Sequence, residues 1–259
     1  MILDRIIENK KLYIEEAKKR RPIKDFEIAD GMGRRILIES VQSHKVAVIA
    51  EIKRRSPSGG DMNSGFSLVE LASIYERSGA AGISVLTDEK YFGGRPEDLL
   101  EVRAQTALPV LRKDFIIDEY QIYEAKAYGA DVILLIAAVL DDARIKEFLT
   151  LARELGLEVL LESHTERELE RSIESGARLL GINNRNLDTL KTDIHTSIRL
   201  MQMVPDDRVG ISESGISCGS DIKRLLDAGA DGFLIGESLL KSGDPGQKLA
   251  ELLDTRIQA

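Results

Sequence analysis

Val46-Ala-Val-Ile-Ala-Glu-Ile-Lys53 is followed directly by Arg54-Arg-Ser-Pro-Ser-Gly-Gly60. A run of Val, Ile and Ala that ends near a proline and two glycines is typical of a buried strand entering a loop. Because side chains alternate between the faces of a strand, one face is apolar throughout, whereas the other becomes charged at Glu51 and Lys53. Burying these two groups is costly unless they pair or take part in chemistry. The stretch therefore predicts a covered strand whose carboxyl end opens into a polar site, as in α/β proteins.

The composition indicates a large folded core and gives little attraction for polyanions. The chain has 259 residues, of which 43% are hydrophobic, and its net charge is −8. An eightfold α/β barrel uses about 250 residues as one unit. The negative charge argues against nucleic acid or an anionic membrane as a partner, so an anionic small molecule would need a local positive site.

Cysteine usage and the chain start predict the compartment. Cys218 is the only cysteine, which excludes an intrachain disulfide and fits a reducing cytoplasm. The start lacks the pattern of a signal peptide, and no apolar run is long enough to span a bilayer. We expect a cytoplasmic protein, with a monomer as the expected state.

Beyond residue 46, strand and helix patterns alternate eight times. The predicted strands are 46–52, 82–87, 109–113, 131–137, 157–162, 179–183, 208–212 and 231–235. The predicted helices are about 67–78, 96–105, 118–128, 141–155, 165–175, 194–203, 218–228 and 244–256. This succession predicts an α/β fold, a (β/α)8 TIM barrel, as a single domain over residues 1–259.

A phrase repeated four times supports the closed barrel. Glycines 79, 129, 176 and 229 each stand in a Gly-Ala pair that precedes a buried strand, and they are spaced by 47 to 53 residues. Each phrase reads as a helix end, a glycine past the cap, a tight turn and a strand. An open doubly wound sheet could show a similar echo, but the nearly even spacing favours the barrel.

Residues 1–45 are predicted to form an N-terminal helical extension. Apolar residues recur at near-helical spacing up to about residue 21, where Pro22 ends the pattern, and a second helical segment covers Arg34 to Ser43. The basic run from Lys18 to Arg21 is typical of a solvated helix end, with a lid over an anionic ligand as the alternative.

In a parallel barrel the carboxyl ends of all strands meet at one mouth, and polar residues follow most of the predicted strands. Six charged side chains are expected to converge there: Glu51, Lys53, Lys113, Glu162, Arg185 and Glu213. The same strand ends also bring Ser56, Phe115, Asn183, Ser214, Gly215, Leu234 and Gly236. Convergence of six charges on an otherwise apolar barrel favours a functional site over isolated ion pairs.

Two small-residue motifs predict a phosphate site. Ser214-Gly215 follows the seventh predicted strand, and Gly236-Glu-Ser238 follows the eighth. Small residues let backbone N–H groups approach phosphate oxygens, and barrels of this kind commonly bind phosphate at these two loops. Neither motif is specific alone, but together they favour a phosphorylated small-molecule substrate.

The histidines and one glycine-rich stretch carry weaker signals. His164 follows Glu162 and could be a general base, although a loop histidine is more often solvated; His44 and His195 are interpreted as structural. Three scattered histidines predict no metal site. The stretch from Asp30 to Gly33 does not follow a strand and is discounted as a dinucleotide fingerprint.

These motifs resemble the indole-3-glycerol phosphate synthase family across roughly residues 1–257. The resemblance rests on residues 50–58 (AEIKRRSPS), 86–94 (LTDEKYFGG), 111–115 (LRKDF), 181–187 (GINNRNL) and 213–217 (ESGIS). The chain departs from the family at Gly59, where the family often has a lysine.

The resemblance implies an enzyme that cyclises, decarboxylates and dehydrates 1-(2-carboxyphenylamino)-1-deoxyribulose 5-phosphate without a redox or metal cofactor. It implies that Lys113 is the general acid and that Lys53, positioned by Glu51, holds the anthranilate carboxylate. It further implies that Glu162 stabilises an iminium-like intermediate or moves protons, that Asn183 and Glu213 orient the ribulose hydroxyls, and that Arg185 gives electrostatic support. The residues implied to enclose the aromatic ring are Phe92, Phe115 and Leu187. Those implied to hold the phosphate are Ser56, Ser214, Gly215 and Gly236.

Two alternatives remain open at this point. Phosphoribosylanthranilate isomerase resembles the same scaffold but uses a Cys and Asp pair, and the only cysteine here, Cys218, follows the seventh strand. The chain could also be a non-catalytic sensor of a phosphorylated ligand. A sensor has no need of a proton donor, so Glu51, Lys53, Lys113 and Glu162 argue against it.

Overall fold

The computed structural model describes residues 2–28, 33–57, 59–62, 65–187 and 189–254. Eight parallel strands close into a barrel in which each strand lies beside its neighbours in sequence and β8 pairs with β1. The strands are β1 (Ala47–Ile52), β2 (Gly82–Leu86), β3 (Val110–Lys113), β4 (Val132–Ile136), β5 (Glu158–Ser163), β6 (Leu179–Asn183), β7 (Val209–Glu213) and β8 (Gly232–Ile235). The predicted (β/α)8 barrel is confirmed.

Two helices, α1 and α2, precede the first strand, and the others follow the strands along the chain. They are α1 (Ile2–Arg20), α2 (Leu37–Ser43), α3 (Leu68–Arg77), α4 (Glu89–Phe92), α5 (Asp98–Gln105), α6 (Glu119–Ala127), α7 (Asp142–Glu154), α8 (Glu166–Glu174), α9 (His195–Leu200), α10 (Gly219–Asp227), α11 (Glu237–Leu240) and α12 (Pro245–Leu253). Short 3-10 turns cover Ile23–Asp25 and Met201–Met203. No helix in these described ranges is both long and apolar enough to cross a bilayer.

The boundaries of the predicted elements agree with the structure to within three residues. The elements that were not predicted are all short. The sequence patterns missed α4, α11 and a hairpin of two antiparallel strands, Arg55–Ser56 and Gly60–Asp61. Each of these has at most four residues, which is too few to show a period. The last two residues of the predicted helix 244–256 lie outside the described residues.

Strand β1 shows why the alternating pattern works. Ala47 and Ile49 belong to the core cluster inside the barrel, whereas Val48, Ala50 and Ile52 pack in the layer between strands and helices. All six residues of the strand are buried. The inner face changes from apolar to charged at Glu51, so the barrel interior is a packed core below and a polar site above.

The four repeated glycines end helices as the sequence predicts. Gly79, Gly129, Gly176 and Gly229 have φ between 81° and 98°, a conformation that favours glycine. Each follows the last residues of a helix and leads within a few residues into β2, β4, β6 or β8.

The N-terminal extension covers both ends of the barrel. Helix α2 closes the amino-terminal end, where Ser40 donates its hydroxyl to the Ala81 carbonyl at 2.6 Å and the Glu158 carboxylate accepts the Leu37 N–H. Helix α1 lies at the opposite end, and Lys10 on this helix forms buried ion pairs of 2.8 Å with Asp88 and 2.7 Å with Asp114.

Candidate active site

The six charged side chains that the sequence placed at the barrel mouth lie together there. The Lys113 ammonium contacts the Glu162 carboxylate at 2.8 Å and the Glu213 carboxylate at 3.2 Å. Lys53 pairs with Glu51 at 2.5 Å. Because these groups come from β1, β3, β5 and β7, only the closed barrel brings them into contact.

Two adjoining cavities open at this mouth. The first, here called the apolar cavity, has a volume of about 120 Å³, and the second, here called the polar cavity, has a volume of about 450 Å³. Five residues line both cavities: Glu51, Lys53, Lys113, Arg185 and Ser214. The cavities are therefore two compartments of one site, joined across the charged cluster.

The apolar cavity brings together the three predicted aromatic-ring contacts. Phe92 and Phe115 have ring centroids 6.2 Å apart, and Leu187 lines the same cavity. Phe92 is the last residue of α4, whose first turn is capped by the Asp88 side chain. Further apolar lining residues that the sequence reasoning missed are Ile2, Leu3, Ile6, Leu86, Leu134, Ile136 and Leu190. Three of them lie on α1, so the extension forms a wall of the site.

The polar cavity brings together Ser214, Gly215, Leu234 and Gly236. Ser214 and Gly215 have φ of 67° and 78°, which turns the chain sharply after β7. Ile216, Ser217, Ile235, Glu237 and Ser238, which belong to the same strand ends and small-residue motifs, also line it, together with Thr192 and Lys241, which the sequence reasoning did not name. Glu237 forms ion pairs with Arg185 at 3.1 Å and with Lys241 at 2.8 Å, so two cationic side chains lie at the polar cavity.

Ser56 and Asn183 line the apolar cavity rather than the polar one. The Ser56 hydroxyl accepts the Gly59 N–H at 2.9 Å, within the short hairpin. The Asn183 side-chain oxygen accepts the Arg185 N–H at 3.0 Å, which fixes the start of the loop after β6. Ser56 shares the apolar cavity with Ser214, which lines both cavities, whereas Gly215 and Gly236 line only the polar one.

The charges of the cluster shift one another's protonation. Burial alone would lower the pKa of Lys113, but the charges of Glu162, Glu213 and Glu51 outweigh it and raise the pKa. Burial would raise the pKa of Glu162, yet Lys113 and His164 hold it well below its usual range. Burial raises the pKa of Glu213, and the charge of Glu162 raises it further. Lys113 is therefore a protonated donor beside one ionised carboxylate and one that favours its proton.

Glu213 is an unusual buried carboxylate. Its side chain is 1% exposed, and among the described residues neither oxygen has an aligned hydrogen-bond partner. A Cβ at Gly181 on β6 would overlap the Glu213 carboxylate, so glycine makes room for this group. Glu213 also lines the polar cavity, where a hydroxyl of a ligand can supply the hydrogen bond.

His164 is a correction to the sequence-based expectation of a solvated loop histidine. The side chain is 9% exposed and lies between two carboxylates, with Nε2 at 3.2 Å from Glu162 and Nδ1 at 3.3 Å from Glu168. The position just past a strand does not reveal this burial, because Glu168 comes from the following helix.

The other weak candidates lie away from both cavities. His44 contacts the Ser40 carbonyl at 2.7 Å, and the His195 side chain is 68% exposed beside Asp193. Lys18 pairs with Asp118 at 2.8 Å, so this part of the basic run is not over the cavities. Cys218 is the residue before α10 and lines neither cavity. In the discounted glycine-rich stretch, residues 30–32 lie outside the described residues, as does Ser58 of the first family motif.

The fold and site define a (β/α)8 barrel with a buried lysine–carboxylate cluster between an apolar and a polar compartment. The family model for indole-3-glycerol phosphate synthase matches residues 3–252. The chain belongs to the indole-3-glycerol phosphate synthase family.

Several curated relatives carry that family's name and match nearly their whole length. The indole-3-glycerol phosphate synthase of Legionella pneumophila (strain Paris) is 47% identical, over 97% of this chain and 98% of the relative. The protein of the same name from Polaromonas naphthalenivorans (strain CJ2) is 46% identical, with 97% and 98% covered. That from Carboxydothermus hydrogenoformans is 43% identical, with 98% and 100% covered.

Solved structures with low sequence identity share the fold alone. Thiamine phosphate pyrophosphorylase from Pyrococcus furiosus has a TM-score of 0.61 and 15% identity, and the match covers 83% of this chain and 95% of that chain. At this identity the likeness is evidence for the barrel fold and for nothing more.

Proposed function

We propose that this site closes the pyrrole ring of indole-3-glycerol phosphate from 1-(2-carboxyphenylamino)-1-deoxyribulose 5-phosphate, with loss of carbon dioxide and water. The observation that carries the proposal is the position of Lys113, which lines both cavities and contacts two buried carboxylates. A substrate with an aryl group at one end and a phosphate at the other matches an apolar and a polar compartment joined by a proton donor.

The ring closure starts at the ribulose carbonyl. Lys113 donates a proton to the carbonyl oxygen while the ring carbon that bears the carboxylate attacks the carbonyl carbon. Carbon dioxide then leaves, and the electron pair of the broken carbon–carbon bond stays with the ring system. This pair neutralises the positive charge of the iminium-like nitrogen. Glu162, in contact with Lys113 at 2.8 Å, stabilises that positive charge or relays the proton.

The remaining residues bind and orient the substrate. Lys53 holds the anthranilate carboxylate and assists the later loss of water, with Glu51 fixing its ammonium at 2.5 Å. Phe92, Phe115 and Leu187 enclose the aryl ring and exclude water. Asn183 and Glu213 orient the ribulose hydroxyls, Arg185 supports the negative charge, and Ser56, Ser214, Gly215, Leu234 and Gly236 bind the phosphate side of the substrate.

The test uses product fluorescence. The chain contains no tryptophan, so an indole signal that grows on adding the substrate comes from product. Lys113→Ala is expected to lower kcat by about 10²–10⁴-fold, as for a removed general acid, with a much smaller change in substrate binding. Lys18→Ala, an exposed lysine outside both cavities, is the control and should keep the wild-type rate.

Two results would contradict the proposal. Equal activity in Lys113→Ala and the control would remove Lys113 from its role. Substrate binding without any turnover in the wild-type chain would favour a sensor on the same barrel, because a sensor binds the ligand but releases it unchanged.

A further inference from the structure

The Glu162 carboxylate is held from two sides. Its Oε2 atom accepts a hydrogen bond from Lys113 Nζ at 2.8 Å, and its Oε1 atom lies 3.2 Å from His164 Nε2. Glu162 is 1% exposed and the His164 side chain is 9% exposed. Each oxygen of the carboxylate therefore has its own buried cationic neighbour when the imidazole is protonated.

His164 lies behind Glu162 rather than in the site. It lines neither the apolar nor the polar cavity, whereas Glu162 lines the apolar one. A substrate in those cavities contacts Glu162 but not the imidazole. Any effect of His164 on the reaction must therefore pass through Glu162.

Glu168 fixes the imidazole from the opposite side. Its Oε2 atom accepts the His164 backbone N–H at 2.8 Å and lies 3.3 Å from His164 Nδ1. Glu168 is in the first turn of α8, where its own N–H is capped by the Thr165 hydroxyl. The ring nitrogens thus face one carboxylate each, Glu162 on β5 and Glu168 on α8.

We propose that His164 is a cationic positioning residue that holds the Glu162 carboxylate in contact with Lys113. The proposal rests on the proposed function, because it assigns His164 to the support of that reaction. Burial alone would lower the pKa of His164, but contacts with Glu162 and Glu168 outweigh it and raise the pKa to about 9. Lys113 of β3 contacts the other oxygen of the Glu162 carboxylate.

The first experiment measures the charge of His164 directly. The protein has three histidines, so ring-proton NMR resolves three titrations, and His164→Gln identifies the one that belongs to His164. Glu168→Gln is expected to lower the pKa of His164 by about one unit or more, since it removes an opposite charge within contact. Glu170→Gln, an exposed residue on the same helix, is the matched control and should leave the titration unchanged.

The second experiment measures the reaction. In Glu168→Gln the alkaline limb of the kcat profile should move to lower pH together with the measured pKa of His164. His164→Gln is expected to lower kcat by about tenfold, because a neutral amide holds the Glu162 carboxylate less firmly against Lys113, with KM nearly unchanged. His195→Gln, the exposed histidine, should keep the wild-type profile.

Three results would overturn the proposal: a wild-type His164 that titrates near its ordinary value, a kcat profile that stays in place while the pKa of His164 moves, or full kcat in His164→Gln. If His164→Gln does not fold, His44→Gln and His195→Gln assign the other two titrations by elimination, and the Glu168→Gln comparison still decides. Failure of the wild-type chain to turn over the substrate would instead reject the proposed function, and the titrations would still report whether His164 is the cation beside Glu162.

Discussion

Replacing Lys10 by methionine should destabilise the protein strongly although Lys10 lies on a helix at the outside of the barrel. The Lys10 side chain is 4% exposed and pairs with Asp88 at 2.8 Å and Asp114 at 2.7 Å. Burial would lower the pKa of Lys10, but Asp114 and Asp88 outweigh it and raise the pKa. Methionine keeps the unbranched apolar stem, one heavy atom shorter, and removes the charge.

The size of the stability loss depends on which contacts the Asp88 and Asp114 carboxylates keep when Lys10 is replaced. Asp114 keeps Arg112 at 3.0 Å and the Thr87 hydroxyl at 2.7 Å, whereas Asp88 keeps the Tyr91 N–H at 2.8 Å. Removing one partner of a buried pair costs about 3–5 kcal/mol, and the lower end applies because Asp114 remains paired. We expect a loss of about 3 kcal/mol, or a fall in Tm of roughly 6–12 °C for a chain of this size.

Urea unfolding, monitored by circular dichroism, measures this loss, and Lys18 on the same helix α1 provides the control. Lys18 pairs with Asp118 at the same distance of 2.8 Å, but the two side chains are 41% and 31% exposed. Lys18→Met should therefore cost less than about 1 kcal/mol. Adding Asp88→Asn to Lys10→Met should recover part of the loss. Equal losses in Lys10→Met and Lys18→Met would refute the reasoning from burial.

Three further predictions concern the site and its pH dependence. Gly181→Ala should lower kcat by about tenfold or more by displacing Glu213, measured by indole fluorescence, whereas Gly210→Ala, which meets the adaptable Met201, should keep kcat. Phe92→Ala removes a ring from the apolar cavity and should raise KM by about tenfold, corresponding to about 1.4 kcal/mol of lost contact. Burial would raise the pKa of Asp114, but Lys10 and Arg112 hold this pKa below its usual range. The ionised Asp114 therefore stabilises the fold above about pH 4, and this stabilisation is lost as the pH falls through the lower pKa of the folded state. The urea midpoint of Lys10→Met should therefore fall less steeply with decreasing pH than the midpoint of the wild type. An acid dependence identical to wild type would contradict this last expectation.

The barrel could be predicted because its signals are local. The alternation in β1 and the four glycines at helix ends depend only on neighbouring residues, and they place the strand ends that carry Glu51, Lys113 and Glu213. The polar ends of the strands then predict a common mouth, since a closed parallel barrel brings them together.

The buried charges away from the strand ends could not be predicted. Lys10 has the spacing of a helix residue, and lysines on helices are usually solvated. Its burial arises from Asp88 and Asp114, which lie on other elements. His164 is misread for the same reason, because Glu168 completes its environment from α8. The apolar wall from α1 also depends on where the extension packs, which no local pattern specifies.

The ion pair between Lys10 and Asp114 has a consequence for the order of synthesis. Lys10 leaves the ribosome well before Asp114, and at about 5–20 residues per second roughly 5–20 seconds of translation separate them. During that interval α1 has neither acidic partner for most of the time and its apolar face is uncovered. The wall that α1 forms beside the apolar cavity is therefore translated first but assembled late, and a nascent chain stalled before β3 would carry this helix without Asp114.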